Sequence, residues 1–173
     1  MLLRPIDYAP RGSNLLSTER TVIVGRPVEE VFALVSDVQN DPRWHTTVLS
    51  AVKTSEGPIG LGSSADIVYK GLGKHDMHAV VVEFESPRRV IIEATFVRLR
   101  GIGARVLGAP RLGFSLEPVE TGTRLTRTVE FQPSGVFRLL EHVGLLTRSM
   151  DRRNAELLNN IKKLLEARSS QPA

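Results

Sequence analysis

Hydrophobic and polar positions change period several times along the chain, and each change predicts an element. Residues 1–16 keep no period, because Pro5, Pro10 and Gly12 interrupt every run, so they read as an irregular lead-in. Ser17 to Gly25 is rich in β-branched residues, with Thr21, Val22, Ile23 and Val24 in a row, and predicts a first strand closed by Gly25. From Pro27 the spacing turns helical. Val28, Val31, Phe32 and Val35 form one apolar stripe, Glu29 and Glu30 sit at the positive end of the helix dipole, and the helix ends near Ser36. Asp41 before Pro42 is a second helix-start signal, which predicts a short turn carrying Arg43 and Trp44.

The period then shortens to two. Val48 to Thr54, Ser63 to Lys70, Met77 to Glu85, Val90 to Arg98, Arg111 to Val119 and Arg124 to Gln132 alternate or are β-rich. Glu56-Gly57-Pro58, Gly71-Leu72-Gly73, Ser86-Pro87 and Thr121-Gly122 supply turn chemistry between them. Short connections between successive strands predict an antiparallel meander. The Gly101 to Pro110 stretch, with Gly101, Gly103 and Gly108, reads as a loop or bulged strand end. From Ser134-Gly135 to about Ala167 the period returns to 3.6. Leu139, Leu140, Val143, Leu146, Met150, Leu157, Leu158, Ile161, Leu164 and Leu165 share one broad face, which predicts a single long helix.

The predicted order is therefore one strand, two short helices, six strands and a long C-terminal helix, an α+β helix-grip arrangement in which a curved seven-stranded antiparallel sheet wraps the last helix. One amphipathic helix is too narrow to fill a strongly curved sheet, so a gap between the two is expected, and concave apolar gaps with a few polar groups are where small molecules bind. The 173 residues suit one domain, 17–168, with a flexible tail at 169–173.

Composition narrows the picture. With 41% hydrophobic and 24% charged residues the chain is ordinary for a globular protein, and no run of 18 apolar residues predicts membrane insertion. The lead-in lacks the apolar core of a signal peptide, so a cytoplasmic protein is expected. The absence of cysteine excludes disulfides, thiolate metal sites and a cysteine nucleophile. The net charge of +4 is spread along the chain, and the aromatic residues that stack on single strands are scarce, so no nucleic-acid partner is expected. His75, Asp76 and His78 cluster, but on a strand His75 points away from the other two, and no metal is expected. Gly71-Leu72-Gly73-Lys74 lacks the length of a phosphate loop, and no serine sits in a nucleophile elbow. Nothing in the chain calls for a cofactor. Arg148, Arg152, Arg153, Lys162 and Lys163 read as the solvated face of the last helix.

Several strings, in this order, carry a family likeness: Pro27-Val28-Glu29-Glu30-Val31-Phe32, Pro42-Arg43-Trp44, Ser86-Pro87-Arg88-Arg89-Val90, and Gly122-Thr123-Arg124-Leu125. Over about 17–167 the chain resembles the polyketide cyclase/dehydrase-like branch of the START and pollen-allergen superfamily. The resemblance implies the helix-grip fold with an interior cavity. It also implies a functional range from aromatase/cyclases to carriers of lipids and other hydrophobes, with no fixed catalytic motif to lay on these positions.

Strand parity, read from the outward acidic residues, nominates the cavity wall. Glu83 and Glu85 pointing out turns His78, Val80, Val82 and Phe84 inward; Glu93 and Thr95 pointing out leaves Val90, Ile92, Ala94 and Phe96 inward. Ala65, Ile67 and Tyr69 face in on the third strand, and Leu112, Phe114 and Leu116 on the sixth. On the last strand Leu125, Val129 and Phe131 define an inward face that Arg127 interrupts, either as a residue snorkelling to solvent or as an anchor for a ligand carboxylate, enolate or carbonyl. Trp44 is placed to cover the cavity mouth or to pack in the core, and Leu140 and Met150 add lining from the helix. Three functions fit. In a hydrophobe carrier or sensor the cavity supplies shape and one or two polar anchors. In an aromatase/cyclase or dehydratase Arg127 and Tyr69 polarise carbonyls while His78 moves protons. In a partner-binding protein the interior is filled and an apolar patch is exposed. Convergence of His78, Tyr69 and Arg127 on one point separates the second from the first.

Overall fold

A computed structural model describes residues 15–71, 73–99, 110–131 and 144–167, with the side chains of 95–99 and of Leu146 outside that set. Strand β1 (Leu16–Val24) is followed by helix α1 (Val28–Ser36) and a 3-10 helix (Val38–Arg43). Six strands come next: β2 (Val48–Lys53), β3 (Ser64–Gly71), β4 (Gly73–Glu85), β5 (Arg89–Leu99), β6 (Arg111–Val119) and β7 (Gly122–Phe131). Helix α2 (Leu145–Ala167) ends the described chain. All seven strands form one antiparallel sheet in the order β1-β7-β6-β5-β4-β3-β2. Every neighbour from β2 to β7 is also a sequence neighbour. Only β1 crosses to the far edge, so residues 25–47, with both short helices, span the sheet from one edge to the other.

The core lies on one face of that sheet. Val31, Phe32, Leu34 and Val35 bury the stripe of α1, and Phe32 meets Phe84 edge-on at 5.3 Å between ring centres. On α2, Asn154, Leu157, Leu158, Ile161 and Leu165 are buried at helical spacing. The helix is tied to β1 at both ends. Arg20 pairs with Asp151, and Glu166 accepts the Gly25 backbone N–H at 2.8 Å. Among the described residues no helix is long and apolar enough to cross a membrane.

Three expectations need correction. The side chain of Asp37, not of Asp41, caps the 3-10 helix by accepting the Gln39 N–H at 3.0 Å, and Pro42 lies inside it. The regular helix starts at Leu145, because Gly144 sits at φ +65°, a left-handed conformation through which a right-handed helix does not run. The stretch from Ser134 to Val143, with Leu139 and Leu140, lies outside the described residues, as does 101–109 of the Gly-rich loop.

The third correction is the parity of β4. His75, Ala79 and Val81 are buried and Met77 packs on the core, so His78 and Val80 face the opposite side of the sheet. Between Val81 and Glu83 the register to β5 shifts, leaving Val82 as the extra residue of a bulge. Glu83, Phe84 and Glu85 obey the parity read from the carboxylates; everything upstream of the bulge is inverted.

Candidate functional site

A cavity of about 330 Å³ lies between the inner face of the sheet, the 3-10 helix and α2. The 3-10 segment and the loop after it contribute Val38, Asp41, Trp44, His45 and Thr47. The sheet adds Ile67, Tyr69 and Lys70 from β3, Leu112 and Phe114 from β6, and Arg127 and Phe131 from β7. Met77, Ile92 and Met150 extend the apolar wall, and Arg153 stands beside it on α2.

Of the residues nominated from sequence, Trp44, Ile67, Tyr69, Ile92, Phe114, Arg127 and Met150 line this space. Ala94, Leu125 and Val129 are buried in the sheet but do not border the cavity. His78, Val80 and Val82 do not line it, for the bulge places them elsewhere. The His78 ring instead bonds Asp66 through Nδ1 at 2.6 Å on the outer face. Phe96, by its side chain, and Leu140 fall outside the described residues. Tyr69 and Arg127 thus share a cavity without His78.

Arg127 is 5% exposed and keeps its inward place in the row of Leu125, Val129 and Phe131. Its partner is neutral. Nη1 donates to Asn154 Oδ1 at 2.8 Å, while Asn154 Nδ2 donates back to the Arg127 carbonyl at 3.1 Å. Asn154, fully buried on α2, so holds both ends of one residue on β7. The guanidinium also lies 5.7 Å from the ring centre of Phe114, its cross-strand neighbour. Nε is buried without a hydrogen-bond partner among the described residues. Burial lowers the guanidinium to about 10, against the opposing field of Asp41, which still leaves it charged at neutral pH.

Sequence reasoning missed Asp41 and His45. Asp41 sits one turn before Trp44 and His45, and its carbonyl accepts their N–H groups at 3.1 and 2.8 Å, so the three side chains reach one side of the segment. That i, i+3, i+4 spacing was the available signal. Burial pushes the Asp41 carboxyl up to about 8, Arg127 pulling it down and Asp37 adding a smaller push upward. Burial draws the His45 imidazole down to about 4, helped by Arg127 and Arg153. Its Nδ1 lies 3.2 Å from Thr47 Oγ1. Burial raises the Tyr69 hydroxyl to about 12, and the ring stacks on His75 at 5.0 Å. Near neutrality the cavity wall therefore presents the buried guanidinium of Arg127, a protonated carboxyl, a neutral imidazole and a phenol, with Lys70 and Arg153 as further cationic side chains. Among the described residues no cluster of His, Cys, Asp and Glu has the makings of a metal site.

The family model for polyketide cyclase/dehydrase and lipid transport matches residues 16–166, from the first strand through the last helix. The chain belongs to that family. No curated protein matches the sequence. Among solved structures, the di-domain ARO/CYC StfQ from the steffimycin biosynthetic pathway superposes with TM-score 0.70 at 14% identity. That alignment covers 91% of this chain but only 52% of StfQ, so the chain spans about half of its length. The Zhui aromatase/cyclase from Streptomyces sp. R1128 gives TM-score 0.69 at 15% identity, over 90% of this chain and 96% of its own. Ara h 8.0201 gives 0.65 at 12% identity, over 88% and 99%. At such identities the likeness is one of fold, which is the helix-grip fold expected from the order of elements.

Proposed function

We propose that this family member binds a small hydrophobic or amphipathic organic molecule in its internal cavity and acts as a carrier or sensor of it. The cavity carries the reading: its volume of about 330 Å³ lies at the lower end of the range that holds drug-sized ligands, roughly 300–1,000 Å³. Its walls are chiefly Ile, Leu, Val, Met and aromatic side chains, and among the described lining residues Arg127 is the one buried polar side chain. The names of the family and of its solved relatives, lipid transport and aromatase/cyclase among them, agree with a site for such molecules.

Trp44, the single tryptophan of the sequence, is 4% exposed and lines the cavity, so its fluorescence reports occupancy. Titration with the neutral hydrophobe N-phenyl-1-naphthylamine is expected to change that emission saturably with one probe per chain. A linear, unsaturable response, or one that appears only as the fold melts, overturns the reading.

A second reading, proton transfer on a poly-carbonyl substrate, has one observation in its favour. Asp41 holds near neutrality a proton that it can donate, and it borders the cavity with Tyr69, Arg127 and the neutral imidazole of His45. His78, the proton carrier first nominated, has no part in it. Ring closure or loss of water after adding a linear poly-carbonyl compound distinguishes this reading from carriage.

A further inference from the structure

We propose that the cavity is a proton-coupled site for a small amphipathic organic anion, whose carboxylate or sulfonate pairs with Arg127 only while Asp41 carries a proton. The proposal rests on the hydrophobe-binding reading and names the ligand class of that same site.

Among the described residues Arg127 lacks the usual partner of a buried cation. A buried guanidinium ordinarily has a carboxylate bonded to it, because an uncompensated charge in an apolar interior is costly. Here the hydrogen-bond partner is the amide of Asn154, which fixes the side chain without cancelling its charge. Nη1 is the one guanidinium nitrogen with a hydrogen-bond partner among the described residues. Asp41 borders the same cavity and feels Arg127 through space, yet no hydrogen bond or ion pair joins the two among the described residues. An anionic group entering the cavity finds a cation already desolvated, oriented and unneutralised, which is the preorganisation that favours charge-assisted contacts.

Asp41 decides whether that anion is tolerated. Ionised, it adds a second negative charge to the same small space and competes for the field of Arg127; protonated, it repels nothing and its O–H is a donor. Binding of an anion and protonation of Asp41 therefore favour each other, and by linkage the coupling is reciprocal. Among the described residues the other titratable or charged groups on this cavity are His45, Tyr69, Lys70 and Arg153, with Asp37 at the start of the same 3-10 helix. The imidazole at about 4 and the phenol at about 12 change state well outside the range in which Asp41, at about 8, changes its own, and Arg127, at about 10, keeps most of its charge up to pH 9.5.

Two probes that share an aromatic skeleton test the proposal. 1-Anilinonaphthalene-8-sulfonate keeps its negative charge throughout the range, and N-phenyl-1-naphthylamine is its neutral counterpart. Dissociation constants for both are measured from pH 6.5 to 9.5 at constant ionic strength, with circular dichroism checking that the fold persists. The sulfonate is expected to bind roughly thirtyfold more weakly at pH 9.5 than at 6.5, following a single group near 8, while the neutral probe holds steady. In Asp41→Asn the ratio of the two sulfonate constants should fall to about one. Arg127→Leu should weaken the sulfonate on the order of tenfold to a hundredfold and spare the neutral probe. A sulfonate affinity independent of pH, or a pH dependence that survives in Asp41→Asn, overturns the coupling. Binding of the neutral probe alone overturns the anion site while leaving the hydrophobe reading intact, and binding of neither removes both.

Discussion

Asp41 and His45 border one cavity, and burial moves each towards its uncharged form, which gives the fold two opposed dependences on pH. In the unfolded chain the Asp41 carboxyl titrates near 3.8 and in the folded chain at about 8, so between those values the folded state holds a proton that the unfolded state has lost. Stability from this residue is complete below 3.8 and is lost as pH rises through about 8. His45 runs the other way. Its contribution is present above 6.5 and is lost as pH falls through about 4, because there the unfolded imidazole takes a proton that the folded one refuses. From 4 to 6.5 the two slopes oppose each other, and above 6.5 Asp41 acts alone. Asp41→Asn should consequently flatten the fall in melting temperature between pH 6.5 and 8.5 and exceed the native chain in stability at pH 8.5, by on the order of a few kcal/mol. Parallel melting curves for the two proteins across that range would mean that Asp41 ionises as an ordinary carboxylate.

At the scale of elements, Gly122 shows how tightly the β6–β7 hairpin is seated against the end of β1. Its φ is +136°, and a Cβ there would meet the Val24 carbonyl oxygen at 2.1 Å and the Gly25 Cα at 2.9 Å. The next residue, Thr123, pairs with Val24 and donates its hydroxyl to the Arg26 carbonyl at 2.7 Å. Gly122→Ala should therefore cost more than the roughly 1–3 kcal/mol typical of a strained backbone site, since it combines an unfavourable φ with a backbone clash. Gly57→Ala is the control, with φ +74° and nothing within 4 Å of the added carbon. Equal losses for the two in chemical denaturation would exclude the contact as the cause. These elements were legible because periodicity survives in each: helical on α1 and α2, alternating on β3, β6 and β7. Arg127 was legible for the same reason, as a charge in an apolar row. The wall was misread on β4, where Val82 bulges out of the ladder and inverts the faces of His78 and Val80 without any glycine or proline to mark the place. Asp41 was misread because both Asp37 and Asp41 are cap-type residues four apart, and the packing of Val38 and Trp44 into the core, rather than local propensity, selects which one caps.

For the whole molecule, the cavity ties ligand binding to global stability. Its wall is drawn from the 3-10 segment, most strands of the sheet and α2, and the Arg127–Asn154 pair joins β7 to α2 across the space they enclose. None of these surfaces meets in the unfolded chain, so a molecule that fills the cavity binds the folded state alone and stabilises it by mass action. At a free concentration one hundred times the dissociation constant the gain is about 2.7 kcal/mol. For a chain of this size each kcal/mol is worth roughly 2–4 °C, so saturating N-phenyl-1-naphthylamine should raise the melting temperature by about 5–10 °C. The rise should follow the logarithm of probe concentration and continue beyond saturation of the fluorescence signal, as linkage requires. Surface adsorption and affinity for unfolded chain predict the opposite sign or no shift. A melting temperature that stays constant or falls while Trp44 emission saturates would therefore place the probe somewhere other than the cavity.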